Sequence, residues 1–357
     1  MSPPALSRLR LLPLLLGCGL VGVGCEDPLP EANDYCAAPP RAVVEVDAAP
    51  DPAACPFGDG LCDADYLALP DLQPGGAPEV MDEHAFEQLM DDHFSQRVPI
   101  RSAITTGEEL RREILEGARI DWMLDGFEER PLQVSYALVD DTPGARRRQW
   151  RLDDPLVGSF RGTTLLPDGD GPFPAVLVFH GHTQTGREWI EEYDGRRLVE
   201  QGFAVIAPTF RVNDADADES RITEHLLRRG LTFVGVRMVE QLLTLRYAAS
   251  LPEVDPCRIG GIGRSGGSIS GNLTSRVTLG LTSWVTDLTG SYFLRMPDGV
   301  LLDETAPDLY RIQDSINDLD TAHLPVLQVG YGYVGLDDPD ADRWPRIVEF
   351  LEDTVAR

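Results

Sequence analysis

The stretch Arg258-Ile-Gly-Gly-Ile-Gly-Arg-Ser-Gly-Gly267 decides the fold of this chain. It begins with a short apolar run that predicts a buried strand, and a helical pattern follows it. Residues 263–267 have the form Gly-x-Ser-x-Gly, which is typical of a sharp strand-to-helix turn that exposes a serine hydroxyl. Ser265 is therefore the candidate nucleophile. The alternative is a glycine-rich turn without chemistry.

Short apolar runs alternate with helical patterns on both sides of this stretch. The runs cover residues 174–179, 203–207, 258–262, 283–286 and 325–329, and the helical patterns between them cover 187–201 and 231–250. Continuous apolar strands that alternate with helices predict a mostly parallel sheet with helices on both faces, and thus an α/β fold.

The preceding part of the chain, residues 79–166, has a different pattern. Apolar residues recur at helical spacing over 82–97 and 106–121, and strand-like alternation follows over 132–139, 148–152 and 156–166. These segments predict two helices and a set of antiparallel strands. Residues 79–357 are therefore predicted to form one domain with a helical and antiparallel N-terminal part.

The N-terminus has the pattern of an export signal. Arg8 and Arg10 precede an apolar run of 14 residues, 11–24, which ends at Cys25. Such a run is too short to span a bilayer as a helix. Residues 21–25 resemble a bacterial lipobox, in which the cysteine becomes the lipidated first residue. We predict a signal peptide over 1–25 and a lipoprotein anchored through Cys25, or otherwise a periplasmic or secreted protein.

Residues 26–78 are rich in Pro, Ala and Asp and are predicted to be a tether between the anchor and the domain. An exported chain lies in an oxidising compartment, where disulfides persist. Four cysteines then permit three pairings, among which the sequence does not choose: Cys36, Cys55, Cys62 and Cys257. The short spacing of Cys55 and Cys62 allows them to close a small loop.

The charge of the chain excludes some partners. Its 357 residues include 59 acidic and 31 basic residues, with a formal net charge of −28. Such a charge repels polyanions, so no nucleic-acid partner is expected. Asp214, Asp216 and Asp218 have the spacing of a calcium loop, but the glycine that such a loop needs is missing. We interpret them as a solvated acidic loop and predict no metal or cofactor.

A second glycine-containing turn, His180-Gly181-His182, ends an earlier predicted strand. A nucleophilic serine needs N–H donors that face the position where the acyl oxygen becomes negative. We assign that role to the backbone N–H of Gly266 and of His182. His180 is interpreted as a packing residue.

Four motifs together resemble the dienelactone hydrolase and acetyl xylan esterase type of α/β-hydrolase. They are residues 165–182, 202–208, 251–259 and the Ser265 turn, within a resemblance that runs from about 125 to 290. The segment 180–184 is also similar to polyhydroxybutyrate depolymerases and feruloyl esterases. The resemblance implies ester hydrolysis through an acyl-Ser265 intermediate. The expected substrate is a small-molecule or polysaccharide-linked ester.

The general base does not fit this family pattern. Its members have the order serine, acid, histidine, and the one histidine after Ser265 is His323. His323 precedes a predicted strand, whereas catalytic groups in parallel sheets gather at the carboxyl ends of strands. It is therefore a weak candidate. His182 and His225 are alternatives that would have to fold in from loops.

Two accounts of the catalytic acid remain open. In the first, the strand at 325–329 is the penultimate one, Asp337 or Asp338 is the acid, and the usual C-terminal strand with its histidine is missing. In the second, that strand is the last one and Asp287 is the acid. The residues in the expected position of the histidine are then Tyr331 or Tyr333.

The sequence thus favours an exported serine hydrolase of carboxylic esters. One alternative is a catalytically inactive, degenerate member of the fold that binds a ligand or carbohydrate. The other is a lactone or polyester hydrolase. An imidazole next to Ser265 would favour an enzyme, because a serine hydroxyl without a base is a weak nucleophile.

Overall fold

The computed structural model describes residues 34–38, 40, 43–46, 80–94, 107–142, 144–182, 184–193, 195–211, 217–287, 301–302, 305–318, 322–329 and 344–356. Several residues with a predicted role lie outside these ranges: Cys25, Cys55, Cys62, Asp214, Asp216, Tyr331, Tyr333, Asp337 and Asp338.

The described strands form one mixed sheet with the order β1-β2-β3-β4-β6-β5-β7-β8-β9. Its strands are β1 Val44–Glu45, β2 Gln133–Thr142, β3 Ala145–Asp154, β4 Gly158–Pro167, β5 Phe173–Phe179, β6 Ala204–Thr209, β7 Val254–Gly263, β8 Ser283–Thr286 and β9 Val326–Gln328. The predicted antiparallel group is β2, β3 and β4, and β4 joins β6 antiparallel. The strands β6, β5, β7, β8 and β9 are parallel neighbours, as predicted.

The parallel half of the sheet is buried on both faces, which explains its continuous apolar runs. In β5, Ala175, Leu177 and Phe179 belong to one hydrophobic cluster, whereas Val176 and Val178 belong to a second one on the opposite face. Alternate residues of a strand point to opposite faces, so a strand between two helical layers needs apolar residues throughout. The predicted α/β fold is confirmed.

The described helices cover both faces of this half. They are α1 Glu83–Phe94, α2 Gly107–Ala118, α3 Gly186–Glu188, α4 Gly195–Glu200, α5 Ala217–Arg228, α6 Phe233–Ser250, α7 Gly266–Val277, α8 Gln313–Asn317 and α9 Trp344–Leu351. Residues 233–249 of α6 are all buried, including Arg237 and Glu240. Within the described ranges no strand follows β9, and α9 packs against the sheet.

Helix α5 differs from the expectation for this part of the chain. Of the three aspartates predicted to form a solvated acidic loop, Asp218 lies in α5, which begins at Ala217 and buries Glu219, Ile222 and Leu226. The sequence does not predict this helix, because many charged residues surround its few apolar positions. The described part of the chain contains no helix that is long and apolar enough to cross a membrane.

Part of the predicted tether packs on the domain. Tyr35 is buried and its hydroxyl donates to Glu128 Oε1 at 2.8 Å, and β1 pairs with β2. Cys36 forms a disulfide with Cys257 in β7, 221 residues further along the chain. The structure thus selects one pairing among those that the sequence allowed, and it fixes this segment at the amino end of β7.

We predict that removal of this disulfide destabilises the protein. In C36S/C257S the unfolded chain is no longer cross-linked across 221 residues, so Tm is expected to fall by roughly 5–15 °C, about 2–5 kcal/mol. Differential scanning calorimetry without reductant measures this. The control is C55S/C62S, where only six residues separate the cysteines and the expected loss is smaller. Equal losses in both variants would contradict the prediction.

Candidate active site

Ser265 lies at the turn between β7 and α7 with a strained backbone. Strand β7 ends at Gly263 and α7 begins at Gly266. The φ of Ser265 is +49° and its ψ is −121°, a conformation that L-residues rarely adopt and that costs on the order of 1–3 kcal/mol. This strain agrees with the nucleophile elbow that the Gly-x-Ser-x-Gly pattern predicts.

The two outer glycines of the motif permit close backbone contacts. A Cβ on Gly267 would collide with the carbonyl oxygen of Phe179 at the end of β5, and one on Gly263 would lie 2.7 Å from Ser268 Cα. The N–H of Arg264 also donates to the carbonyl of Phe179 at 3.0 Å. The elbow is therefore held directly against the carboxyl end of β5.

Asp287, which directly follows β8, holds the serine in this turn. Its Oδ1 accepts from the backbone N–H of Ser265 at 2.9 Å and from Ser268 Oγ at 2.7 Å. Burial raises the pKa of the carboxyl, and the bonds from Ser268 and Ser265 oppose that rise. Asp287 therefore bonds to the backbone of the elbow, and its predicted role as the catalytic acid stays a prediction.

The His180–His182 turn after β5 lies against the elbow. A Cβ on Gly181 would be 3.0 Å from Ser265 Cβ. His180 is buried, and its Nε2 accepts from the N–H of Phe210 while its Nδ1 donates to the carbonyl of Gly181. Burial is the main cause that lowers the pKa of His180 to about 3. Its ring is neutral and both nitrogens are occupied, as expected of a packing residue.

The side chain of His182 approaches the elbow from the same turn. A Cβ on Gly266 would lie 2.7 Å from Cε1 and 3.0 Å from Nδ1 of His182. On its other side, His182 Nε2 is 3.6 Å from Oε1 of Glu219, whose side chain is fully buried. Glu219 belongs to α5. An imidazole between a buried carboxylate and the turn that bears the candidate nucleophile is a feature that the sequence did not reveal.

One predicted oxyanion donor, the N–H of Gly266, lies at the start of α7. Gly266 is the first residue of α7, so the helix itself offers no carbonyl acceptor for its N–H. The N-terminus of a helix also carries a partial positive charge. Both features favour a negative oxygen near Gly266. The backbone of His182 adjoins this position through Gly181, and its role as the second donor stays a prediction.

The structure does not bring His323 or His225 to Ser265. His323 Nε2 is 2.8 Å from the carbonyl oxygen of Thr278, directly after the C-terminal end of α7. Twelve helical residues separate this end from the elbow, a length of about 18 Å. Burial lowers the pKa of His323. His225 lies on the surface of α5, where its Nδ1 is 3.0 Å from Arg229 Nη1.

The comparisons with known proteins agree with this geometry. Residues 160–281, from within β4 to just before β8, match the dienelactone hydrolase family. A candidate acetyl xylan esterase from Bacteroides fragilis superposes with a TM-score of 0.53 at 13% identity, over 69% of this chain and 74% of that one. The chain is an α/β-hydrolase-fold protein that resembles the dienelactone hydrolase family. At this identity the superposition shows the fold alone.

Another solved structure gives a weaker superposition. The acetyl xylan esterase from Paenibacillus sp. R4 has a TM-score of 0.49 at 14% identity, over 75% of this α/β-hydrolase-fold chain and 99% of that one. No curated protein matches the chain. The family match over residues 160–281 includes Ser265. It supports the assignment of this chain to the carboxylic ester hydrolases.

Glycine 267 provides a test of the elbow. G267A places a methyl group against the backbone of β5, so we expect it to lower the free energy of unfolding by about 1–3 kcal/mol or more. The control is G107A at the start of α2, where a Cβ meets nothing within 4 Å. It should change stability by less than about 1 kcal/mol. Urea unfolding measures both, and similar stabilities would contradict the packing described here.

Asp287 provides a second test. D287A removes an acceptor shared by two donors and should destabilise the protein by about 1–3 kcal/mol. D287N keeps an acceptor oxygen and removes the charge whose burial raises the pKa. We therefore expect D287N to be at least as stable as wild type at pH 7. This stability advantage of D287N should vanish below about pH 4, where Asp287 is protonated in both the folded and the unfolded wild-type protein. A loss in D287N as large as that in D287A would contradict the assignment.

Proposed function

We propose that the protein is an exported serine hydrolase that cleaves carboxylic esters through an acyl-Ser265 intermediate. The observation that carries this proposal is the strained Ser265 at the N-terminus of α7, with an imidazole beside it. Strain at this position is maintained by Asp287 and by the contact with β5. A structural turn without chemistry has no need for such a backbone.

The arrangement accounts for the steps of ester hydrolysis. Ser265 Oγ attacks the acyl carbon, and the carbonyl oxygen becomes negative in the tetrahedral intermediate. The N–H of Gly266 and the N-terminus of α7 stabilise this oxygen, with the N–H of His182 as the second donor. The alcohol then leaves, and water hydrolyses the acyl-serine. The expected substrate is a small-molecule or polysaccharide-linked ester.

Export is supported by two independent features. The Cys36–Cys257 disulfide is typical of an oxidising compartment. The N-terminal sequence has the form of a signal peptide that ends at Cys25, and we propose that this cysteine carries a lipid anchor.

Covalent labelling tests the proposed reaction. The full chain is treated with a fluorophosphonate probe, and hydrolysis of 4-nitrophenyl acetate is measured in parallel. Wild type should be labelled once and should hydrolyse the ester. S265A should lose the label, and its kcat should fall by more than about 10³-fold.

The matched control is S250A. Ser250 is the last residue of α6 and lies near the amino end of β7, whereas Ser265 follows its carboxyl end. The hydroxyl of Ser250 donates to the carbonyl of Tyr247. This variant should keep both activities. If a wild type with a cooperative thermal transition takes no label and cleaves no ester, the proposed function is wrong and the ligand-binding alternative gains support.

A further inference from the structure

The histidines of this chain differ sharply in their relation to Ser265. Two of them, His84 and His93, belong to α1, where Phe86 and Met90 pack against Leu227 and Leu301. His180, His225 and His323 are bonded elsewhere, as described above. Among the described side chains, the one imidazole in contact with the elbow is that of His182.

The ring of His182 lies close to both Glu219 and the elbow. Its Nε2 is 3.6 Å from Glu219 Oε1, and Cε1 and Nδ1 are the ring atoms nearest to the Cβ position of Gly266, the residue after the serine. Glu219 is fully buried, and a carboxylate beside one ring nitrogen holds an imidazole in a fixed orientation. This is the relation between acid and base in a serine triad, which is recognised by geometry and not by the order of residues along the chain.

We propose that His182 is the general base for Ser265 and that Glu219 is the positioning carboxylate that orients it. The inference rests on the proposed function and deepens it. It also replaces the expectation that the base follows the nucleophile in the chain: the order here is His182, Glu219, Ser265. The bond between Ser265 Oγ and the ring is expected to form when substrate binds, since catalytic hydrogen bonds are often long or poorly aligned without it.

Ser265 and His182 account for every proton transfer in the reaction. His182 Nδ1 takes the proton of Ser265 Oγ as Oγ bonds to the acyl carbon. The imidazolium gives that proton to the departing alkoxide when the ester C–O bond breaks. His182 then takes a proton from water, whose oxygen bonds to the acyl carbon, and returns it to Ser265 Oγ as the bond between Oγ and the acyl carbon breaks. The products are a carboxylic acid and an alcohol.

Substitution of His182 tests the base. H182Q and H182A should each lower kcat for 4-nitrophenyl acetate by about 10²–10⁴-fold and slow fluorophosphonate labelling to a similar extent. Imidazole in the buffer should restore part of the kcat of H182A, because the small base can occupy the vacated space. A structural role of the side chain predicts no such rescue. H323Q is the control and should keep wild-type kcat.

Two results would overturn this assignment: H182Q with kcat within two-fold of wild type, or a loss in H182A that imidazole does not restore. Both are distinct from failure of the proposed function, in which wild type itself is neither labelled nor active.

Glu219 requires a readout that a packing role would not change. E219Q keeps the size of the side chain and removes its charge, so kcat should fall by up to about 10⁴-fold while KM stays within two-fold. E219D retains the charge and should regain part of the kcat. The control is E224Q, which removes an exposed carboxylate of the same helix. A normal kcat in E219Q, or equal kcat values in E219Q and E219D, would overturn the positioning role.

Discussion

The contact of the first turn of α7 with the end of β5 is the constraint on which the candidate site depends. Residue 267 has no room for a side chain because the carbonyls of Phe179 and His180 face it. The same contact brings Ser265 against Gly181 and so joins the elbow to the turn that bears His182. Helix N-terminus, serine and imidazole thereby meet at the carboxyl edge of the sheet, where parallel sheets place their active sites.

Two buried carboxylates serve this edge in different ways. Asp287 accepts from the backbone N–H of Ser265 and thus fixes the turn whether or not substrate is bound. Glu219 lies beside an imidazole and thus acts on a group whose charge changes during the proposed reaction. A single acid oriented toward a histidine is the usual arrangement of the fold. Here Asp287, which follows strand β8, bonds to the backbone of the nucleophile. The second carboxylate, Glu219, lies beside the imidazole and belongs to α5, which precedes the nucleophile in the chain.

The sequence predicted the parallel sheet closely, because a strand between two helical layers is apolar throughout. Ser283–Thr286 has the same bounds in prediction and structure. Ser265 was recognised because a strained turn needs glycines at fixed positions. His182 was named as an alternative base, but Glu219 beside it was not, because their approach depends on how α5 packs and no local pattern encodes it. The family order of residues instead pointed to His323, which the structure places beyond the far end of α7.

The docking of Tyr35 and Cys36 has a consequence for how the protein would sit at a membrane. Nine residues of chain between Cys25 and Tyr35 reach at most about 35 Å, so the lipid anchor proposed at Cys25 would keep the domain near the bilayer. Cys257 lies near the start of β7, and Ser265 follows its end, about 26 Å away by the rise of a strand. The end of β7 that is bonded to Cys36 is thus opposite to the end that bears the serine. The site would open away from the lipid headgroups, toward substrates that arrive from the surrounding medium.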